Sequence, residues 1–144
     1  MIPGRADLRG TVRTFGGRFW EQAPDLLRDT AQGIAGAFGA SAEVRYRRLS
    51  GPLLNDPTMT ALMKGVAETI VGTERVSDGI RTMGGEDMSY FLQKVPGCFA
   101  FVGSAPPGKT ASPHHSPTFD IDESALPIGA ELLSQTALRY LESR

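Results

Sequence analysis

The chain is poor in the residues that most often hold metals or form crosslinks. It has a single cysteine, Cys98, and two histidines among 144 residues. One cysteine excludes an intrachain disulfide and any thiolate metal cluster. The bland reading of Cys98 is a small core residue, since free cysteine is usually buried. Charge of one sign is also missing: the formal net charge is −1. That argues against nucleic acid, or an acidic membrane, held by bulk attraction. The longest apolar run, Cys98 to Val102, is far too short to span a bilayer. No charged-then-apolar leader opens the chain. These absences describe a soluble protein of a reducing compartment, expected in the cytoplasm. There is no Gly-x-Ser-x-Gly elbow. Gly84-Gly85 is too short for a phosphate loop and no lysine follows it.

What is present is enough apolar sequence for a core, 40% of the residues. Ala6 to Phe15 alternates, with Ala6, Leu8, Gly10 and Val12 opposing Asp7, Arg9, Thr11 and Arg13, which predicts a half-buried strand. Phe19, Ala23, Leu26, Leu27, Thr30, Ile34 and Phe38 recur near the helical period. Gly39 is a stop signal. Pro24 marks either the start of this helix or a kink in it. Ala42, Val44 and Tyr46 alternate with Glu43 and Arg45, predicting a second strand. Leu49 to Asn55 reads as a connector.

Asp56-Pro57 is an N-cap followed by proline at the first helical position. Met59, Leu62, Met63, Val66 and Ile70 then form one stripe, and Gly72 ends it. Thr82 to Gly85 is a turn, with Glu86 and Asp87 opening a short helix. Cys98 to Gly103 predicts a buried strand. Ser104 to Pro117, with four prolines, is a loop. A last helix carries Leu126, Ala130, Leu133, Ala137 and Leu141 on one face. The fold class expected is α/β, in two parts: 1–48, a small α+β unit, and 49–144, a partial α/β unit. Neither part closes its sheet, because strand edges and part of a face stay uncovered.

Candidate chemistry concentrates in Pro113 to Glu123, which holds both histidines. Loops carry chemistry more often than cores do, and imidazole is the commonest metal ligand. Neighbouring residues in extended chain point apart, so His114 and His115 contribute one ligand at most. A loop histidine is also commonly a solvated residue. Zinc sites need three or four protein ligands. The partners could come only from carboxylates such as Glu86, Asp87, Asp120 or Asp122, and no ligand spacing supports that. Glu86 and Asp87 equally read as charges complementing a helix dipole. Arg13 has the planar fork that grips a carboxylate, but Arg9 and Arg45 share that description. Arg45, Arg47 and Arg48 read as a solvated strand end.

Several blocks together carry a resemblance. They are Gly10-Thr11-Val12-Arg13-Thr14-Phe15, Met83-Gly84-Gly85-Glu86-Asp87-Met88, Val95-Pro96-Gly97, Phe101-Val102-Gly103, and His115-Ser116-Pro117-Thr118-Phe119-Asp120-Ile121-Asp122-Glu123, followed by Leu126-Pro127-Ile128-Gly129. In this order and spacing the chain resembles the metal-dependent amidohydrolases that cleave N-acyl amino acids. That group includes hippurate hydrolase, aminoacylase-like carboxypeptidases and plant auxin-conjugate hydrolases.

The resemblance covers essentially the whole chain but only the C-terminal part of such an enzyme. It implies that residues 1–48 are part of a ferredoxin-like lid that also serves dimerisation. Met1-Ile2-Pro3 stands where the family has the end of an Asn-Val-Ile-Pro segment. Residues 49–144 would then complete the catalytic α/β domain. It further implies that His115 is the last ligand of a divalent metal pair (Mn²⁺, Zn²⁺ or Co²⁺), with His114 unmatched. Arg13 would bind the substrate carboxylate, and Glu86 would be site-adjacent.

The family's other metal ligands, its general-base glutamate and its lid histidine lie upstream of the matched region, so no catalytic residue is assigned here. A metal-activated hydroxide needs both a multi-ligand site and a base. The expectation is a fragment inactive on its own, whose substrate in the complete enzyme is an N-acyl amino acid. The alternatives are one chain of a split enzyme completed by an N-terminal polypeptide, and a non-catalytic remnant that pairs as a homo-oligomer. No nucleic acid or membrane partner is expected.

Overall fold

The structure, a computed structural model, describes residues 3–108 and 111–143. Met1 and Ile2, which entered the comparison with the Asn-Val-Ile-Pro segment, lie outside the described residues, as do positions 109–110 of the proline-rich loop. Four α-helices are present among the described residues: α1 Gly17–Ala37, α2 Pro57–Val71, α3 Met88–Leu92 and α4 Ala125–Glu142. A 3₁₀ turn, Thr73–Arg75, follows α2. By contacts the chain forms two compact units. One is Met1–Leu53 with Arg81–Tyr90, and the other is Leu54–Ile80 with Phe91–Arg144.

In the first unit α1 continues through Pro24 rather than starting at it. Proline has no N–H to donate, so the preceding turn lacks one hydrogen bond. The helix ends as Gly39 predicts. Gly39 takes the left-handed conformation at φ 66°. Ala40 N–H donates to Ala35 O, and Gly39 N–H to Gly36 O. This pair of bonds satisfies carbonyls that the last turn leaves open.

The covered side of α1 differs from the expected stripe. Ala23 is buried and Trp20, Pro24, Ala31 and Ala35 are half-buried, whereas Phe19, Leu26, Ile34 and Phe38 are exposed. The small residues Ala23, Ala31 and Ala35 mark the covered side, and the periodicity of the large residues alone pointed elsewhere. Arg48 joins the far end of the unit to the helix. Its guanidinium sits 4.4 Å over the Trp20 ring, and Nη2 donates to Glu21 O at 2.9 Å.

Residues 42–46 keep the predicted alternation: Ala42, Val44 and Tyr46 are half-buried, and Glu43 and Arg45 are exposed. Residues 6–15 do not, and Leu8 is 91% exposed. Among the described residues neither segment belongs to a hydrogen-bonded ladder, and the same holds for 98–103. The last of these is also not buried: Phe101 and Val102 are exposed. The physical reason is that a strand, unlike a helix, needs a neighbour to accept its backbone bonds.

The second unit is centred on α2 packed against α4. Asp56 caps α2 as predicted: its carboxylate accepts from Met59 N–H at 2.9 Å, with Pro57 opening the helix. The stripe Met59, Leu62, Met63, Val66 and Ile70 is half-buried or better, and Val66 is fully buried. On α4 the covered residues are Ala125, Leu132 and Thr136. The expected face is the wrong one, since Leu126, Ala130, Leu133, Ala137 and Leu141 are exposed. This helix carries two apolar stripes, and α2 covers the one that includes a threonine. Thr136 is accommodated because its hydroxyl donates to Leu132 O at 2.6 Å within the helix.

Candidate functional site

The histidine loop is built from two β-turns that share Ser116. In the first, Ser116 N–H donates to Pro113 O at 3.2 Å, with His114 and His115 at the corner. In the second, Phe119 N–H donates to Ser116 O at 3.0 Å, across Pro117 and Thr118. A chain of hydroxyls braces both turns. Ser112 Oγ and Ser116 Oγ each lie 2.9 Å from Thr118 Oγ1, and Thr118 N–H reaches Ser116 Oγ at 3.2 Å.

His115 holds φ 64°, the one left-handed non-glycine among the described residues. Histidine tolerates that region better than most side chains, and such strained positions gather at functional sites. The two histidines are not equivalent. The His114 ring packs edge-on against Phe119, with centroids 5.1 Å apart. His115 is exposed and has no ring or hydrogen-bond partner among the described residues.

The loop continues into α4 through two aspartates. Asp120 Oδ1 accepts from Ile121 N–H at 3.0 Å. Asp122 is anchored at its backbone, donating N–H to Ser104 O at 2.9 Å. Its carboxylate accepts from Ser124 N–H at 2.9 Å. The Ser124 hydroxyl, and then its N–H, hold the Asp122 carboxyl below the ordinary carboxylate range.

The other candidates lie in the first unit. Arg13 Nη1 donates to Met83 O at 2.6 Å. Glu86 is half-buried beside exposed Gly84, Gly85 and Asp87. Its carbonyl accepts from Ser89 N–H at 3.2 Å, and Asp87 O accepts from Tyr90 N–H at 3.0 Å, which starts α3. Arg45 is tied to Glu43 at 2.8 Å, while Arg9 makes no hydrogen bond among the described residues. Of the three arginines that sequence left undecided, Arg13 is the one bonded to the glycine loop.

Among the described residues no three His, Cys, Asp or Glu side chains are grouped so as to hold an ion. The residues here therefore fit one free ligand, the His115 imidazole, and not a complete centre. Cys98 is half-buried and unpaired by disulfide.

Sequence reasoning missed three features: the hydroxyl brace on the histidine loop, the Arg13–Met83 bond, and a two-point grip of Asn55 on Phe99. The first had a signal, since Ser-x-Thr around proline is turn chemistry. The other two join residues far apart in sequence and left none.

The family described as Peptidase family M20/M25/M40 matches residues 4–139, and the chain belongs to it. It is 32% identical, over 144 residues, to N-acetylcysteine deacetylase of Bacillus subtilis (strain 168), covering 99% of this chain and 36% of that protein. It is 31% identical, over 147 residues, to IAA-amino acid hydrolase ILR1-like 4 of Arabidopsis thaliana, covering 98% of this chain and 33% of that protein. Among solved structures it is similar to the Bacillus subtilis YXEP protein, a dinuclear metal binding peptidase from the M20 family. That likeness has TM-score 0.77 and 27% identity, over 91% of this chain and 35% of that one. The chain thus spans about a third of the length of the relatives it matches.

Proposed function

We propose that this chain is the C-terminal portion of a metal-dependent amidohydrolase that cleaves the amide bond of N-acyl amino acids, and that it is inactive alone. The observation that carries the reading is the state of His115. It is an exposed, unpartnered imidazole on a braced, left-handed corner, in a chain whose described residues form no ligand cluster around it.

In this reading His115 contributes one ligand to a divalent metal site completed by other residues of the whole enzyme. Bound there, the metal would polarise the amide and activate water. Arg13 grips the substrate carboxylate, and Glu86 stands beside the site. Residues 1–48 belong to the lid, and residues 49–144 to the catalytic domain. The relatives named as a deacetylase of N-acetylcysteine and as a hydrolase of IAA-amino acids support this substrate class. The free thiol of Cys98 suits a cytoplasmic setting.

The test is an assay of the isolated chain on N-acetyl and N-benzoyl amino acids with Mn²⁺, Zn²⁺ or Co²⁺. No turnover is expected. Turnover that disappears in His115→Ala would overturn the claim of inactivity.

A second reading, a split enzyme completed by an N-terminal polypeptide, is favoured by one observation. Residues 6–15 are exposed but for half-buried Thr14 and without ladder bonds, as an edge awaiting a neighbour would be. Co-purification with a partner that restores turnover would select it. Self-association without restored turnover would instead favour the non-catalytic remnant.

A further inference from the structure

The segment from Thr82 to Tyr90 begins with a weakness. Gly84 and Gly85 in succession carry no side chain that could hold the backbone, and glycine is the most permissive residue in conformation. Ahead of Glu86 one local bond is available, from Gly84 N–H to Thr82 Oγ1 at 3.1 Å, and after it Glu86 O and Asp87 O take the Ser89 and Tyr90 amides. Yet Glu86, the next residue, is half-buried while its neighbours are exposed. Contacts from residues outside the loop add to these local bonds.

Its middle lies close to the connector and its end is bonded to it. A methyl group on Gly85 would lie 3.3 Å from Ser50 Oγ, so backbone and connector are in close approach there. The Tyr90 hydroxyl donates to Leu49 O. The start is held by Arg13, whose Nη1 donates to Met83 O across 70 residues of sequence. A guanidinium has five donors in a rigid fork. Nε and Nη2 of Arg13 make no hydrogen bond among the described residues.

We propose that Arg13 is a positioning residue for Glu86: its bond to the Met83 carbonyl fixes the Gly84-Gly85-Glu86 loop, and its remaining edge stays open to a carboxylate. One side chain then joins ligand recognition to loop placement. A carboxylate on the open edge orders the guanidinium, and the ordered guanidinium steadies the loop. The effect is reciprocal, since a coupling between two sites acts equally in both directions. This inference rests on the reading of Arg13 and Glu86 as site residues.

The test uses the full chain, isotopically labelled. Amide exchange of Gly84, Ser89 and Tyr90 is compared in the wild type, Arg13→Met and Arg13→Lys. Arg13→Met is expected to speed these amides about tenfold, the effect of one charge-assisted bond, with α1 amides unchanged. Arg13→Lys should restore part of the protection, because an ammonium can donate to the same carbonyl without the fork geometry.

Equal loop exchange in all three chains, with α1 intact, overturns the proposal. Should Arg13→Met loosen α1 as well, the wild type decides. A nuclear Overhauser contact between an Arg13 guanidinium proton and the Gly84 amide proton supports the proposal, and its absence overturns it. These outcomes are separable from the hydrolase reading. An inactive assembled enzyme would remove the site assignment and leave the loop contact in place. A missing loop contact would remove the tether and leave the hydrolase reading intact.

Discussion

The side-chain amide of Asn55 grips the backbone of Phe99 at both polar groups. Nδ2 donates to Phe99 O at 2.8 Å, and Oδ1 accepts from Phe99 N–H at 2.9 Å. An asparagine side chain is here doing what a neighbouring strand would do for the apolar run. The next residue adds a third bond, Asp56 N–H to Gly97 O at 2.9 Å. Asn55 thus fixes the segment around Phe99, which follows α3, against the start of α2.

Asn55→Ala should therefore destabilise the chain by about 1–2 kcal/mol, the net worth of two such bonds near the surface. Asn55→Asp should cost at least as much. It keeps an acceptor for Phe99 N–H but sets a carboxylate oxygen against Phe99 O. Urea midpoints followed by helical circular dichroism would check both, and a neutral Asn55→Ala would contradict the assigned role.

His115 separates two roles that an alanine substitution would confound. Asparagine tolerates the left-handed region. His115→Asn should keep both turns and the thermal midpoint while removing the imidazole. His115→Val should lower stability by roughly 1–2 kcal/mol, because a β-branched residue resists positive φ. Thermal midpoints test the turn. Loss of metal affinity in the assembled enzyme for both variants tests the ligand. A midpoint unchanged in His115→Val would show that the corner stores no strain.

Asp122 sets an acid-side dependence. Its folded pKa lies below the unfolded value near 3.8 because the Ser124 hydroxyl and N–H favour the ionised form. A depressed carboxyl adds stability above the unfolded pKa and loses it as pH falls through the folded one. Ser124→Ala removes the hydroxyl contribution, so the Asp122 titration should move up toward the ordinary carboxylate range. A carboxyl-carbon NMR titration between about pH 2 and 5 reads this directly. An unmoved titration would show that the backbone N–H alone sets the shift.

Helices were legible in the sequence because their signals are local. Asp56-Pro57, Gly39 and Gly72 each fall where a helix starts or stops. Which face is covered was less legible. On α4 the leucines at 126, 133 and 141 outnumber the single buried Leu132, and periodicity cannot rank two apolar stripes. Residues 6–15, 42–46 and 98–103 read as strands but lie in no ladder among the described residues, because pairing depends on neighbours that sequence pattern does not supply. Among the candidate residues, the blocks around Arg13, Glu86 and His115 stood out as text. The Met83 carbonyl that receives Arg13 did not, because every residue has a carbonyl and only folding selects one.

The segments that read as strands but lie in no ladder have a spectroscopic consequence. Far-ultraviolet dichroism responds to repeating backbone geometry, and here the repeating backbone among the described residues is helix. A spectrum of this chain would be read as all-α, although its family's architecture is α/β. The amides of 42–46 would exchange with solvent like those of an unfolded chain, while Ala42, Val44 and Tyr46 remain partly shielded. A β signal gained on adding a second polypeptide would then report sheet completion directly, before any catalytic assay was run.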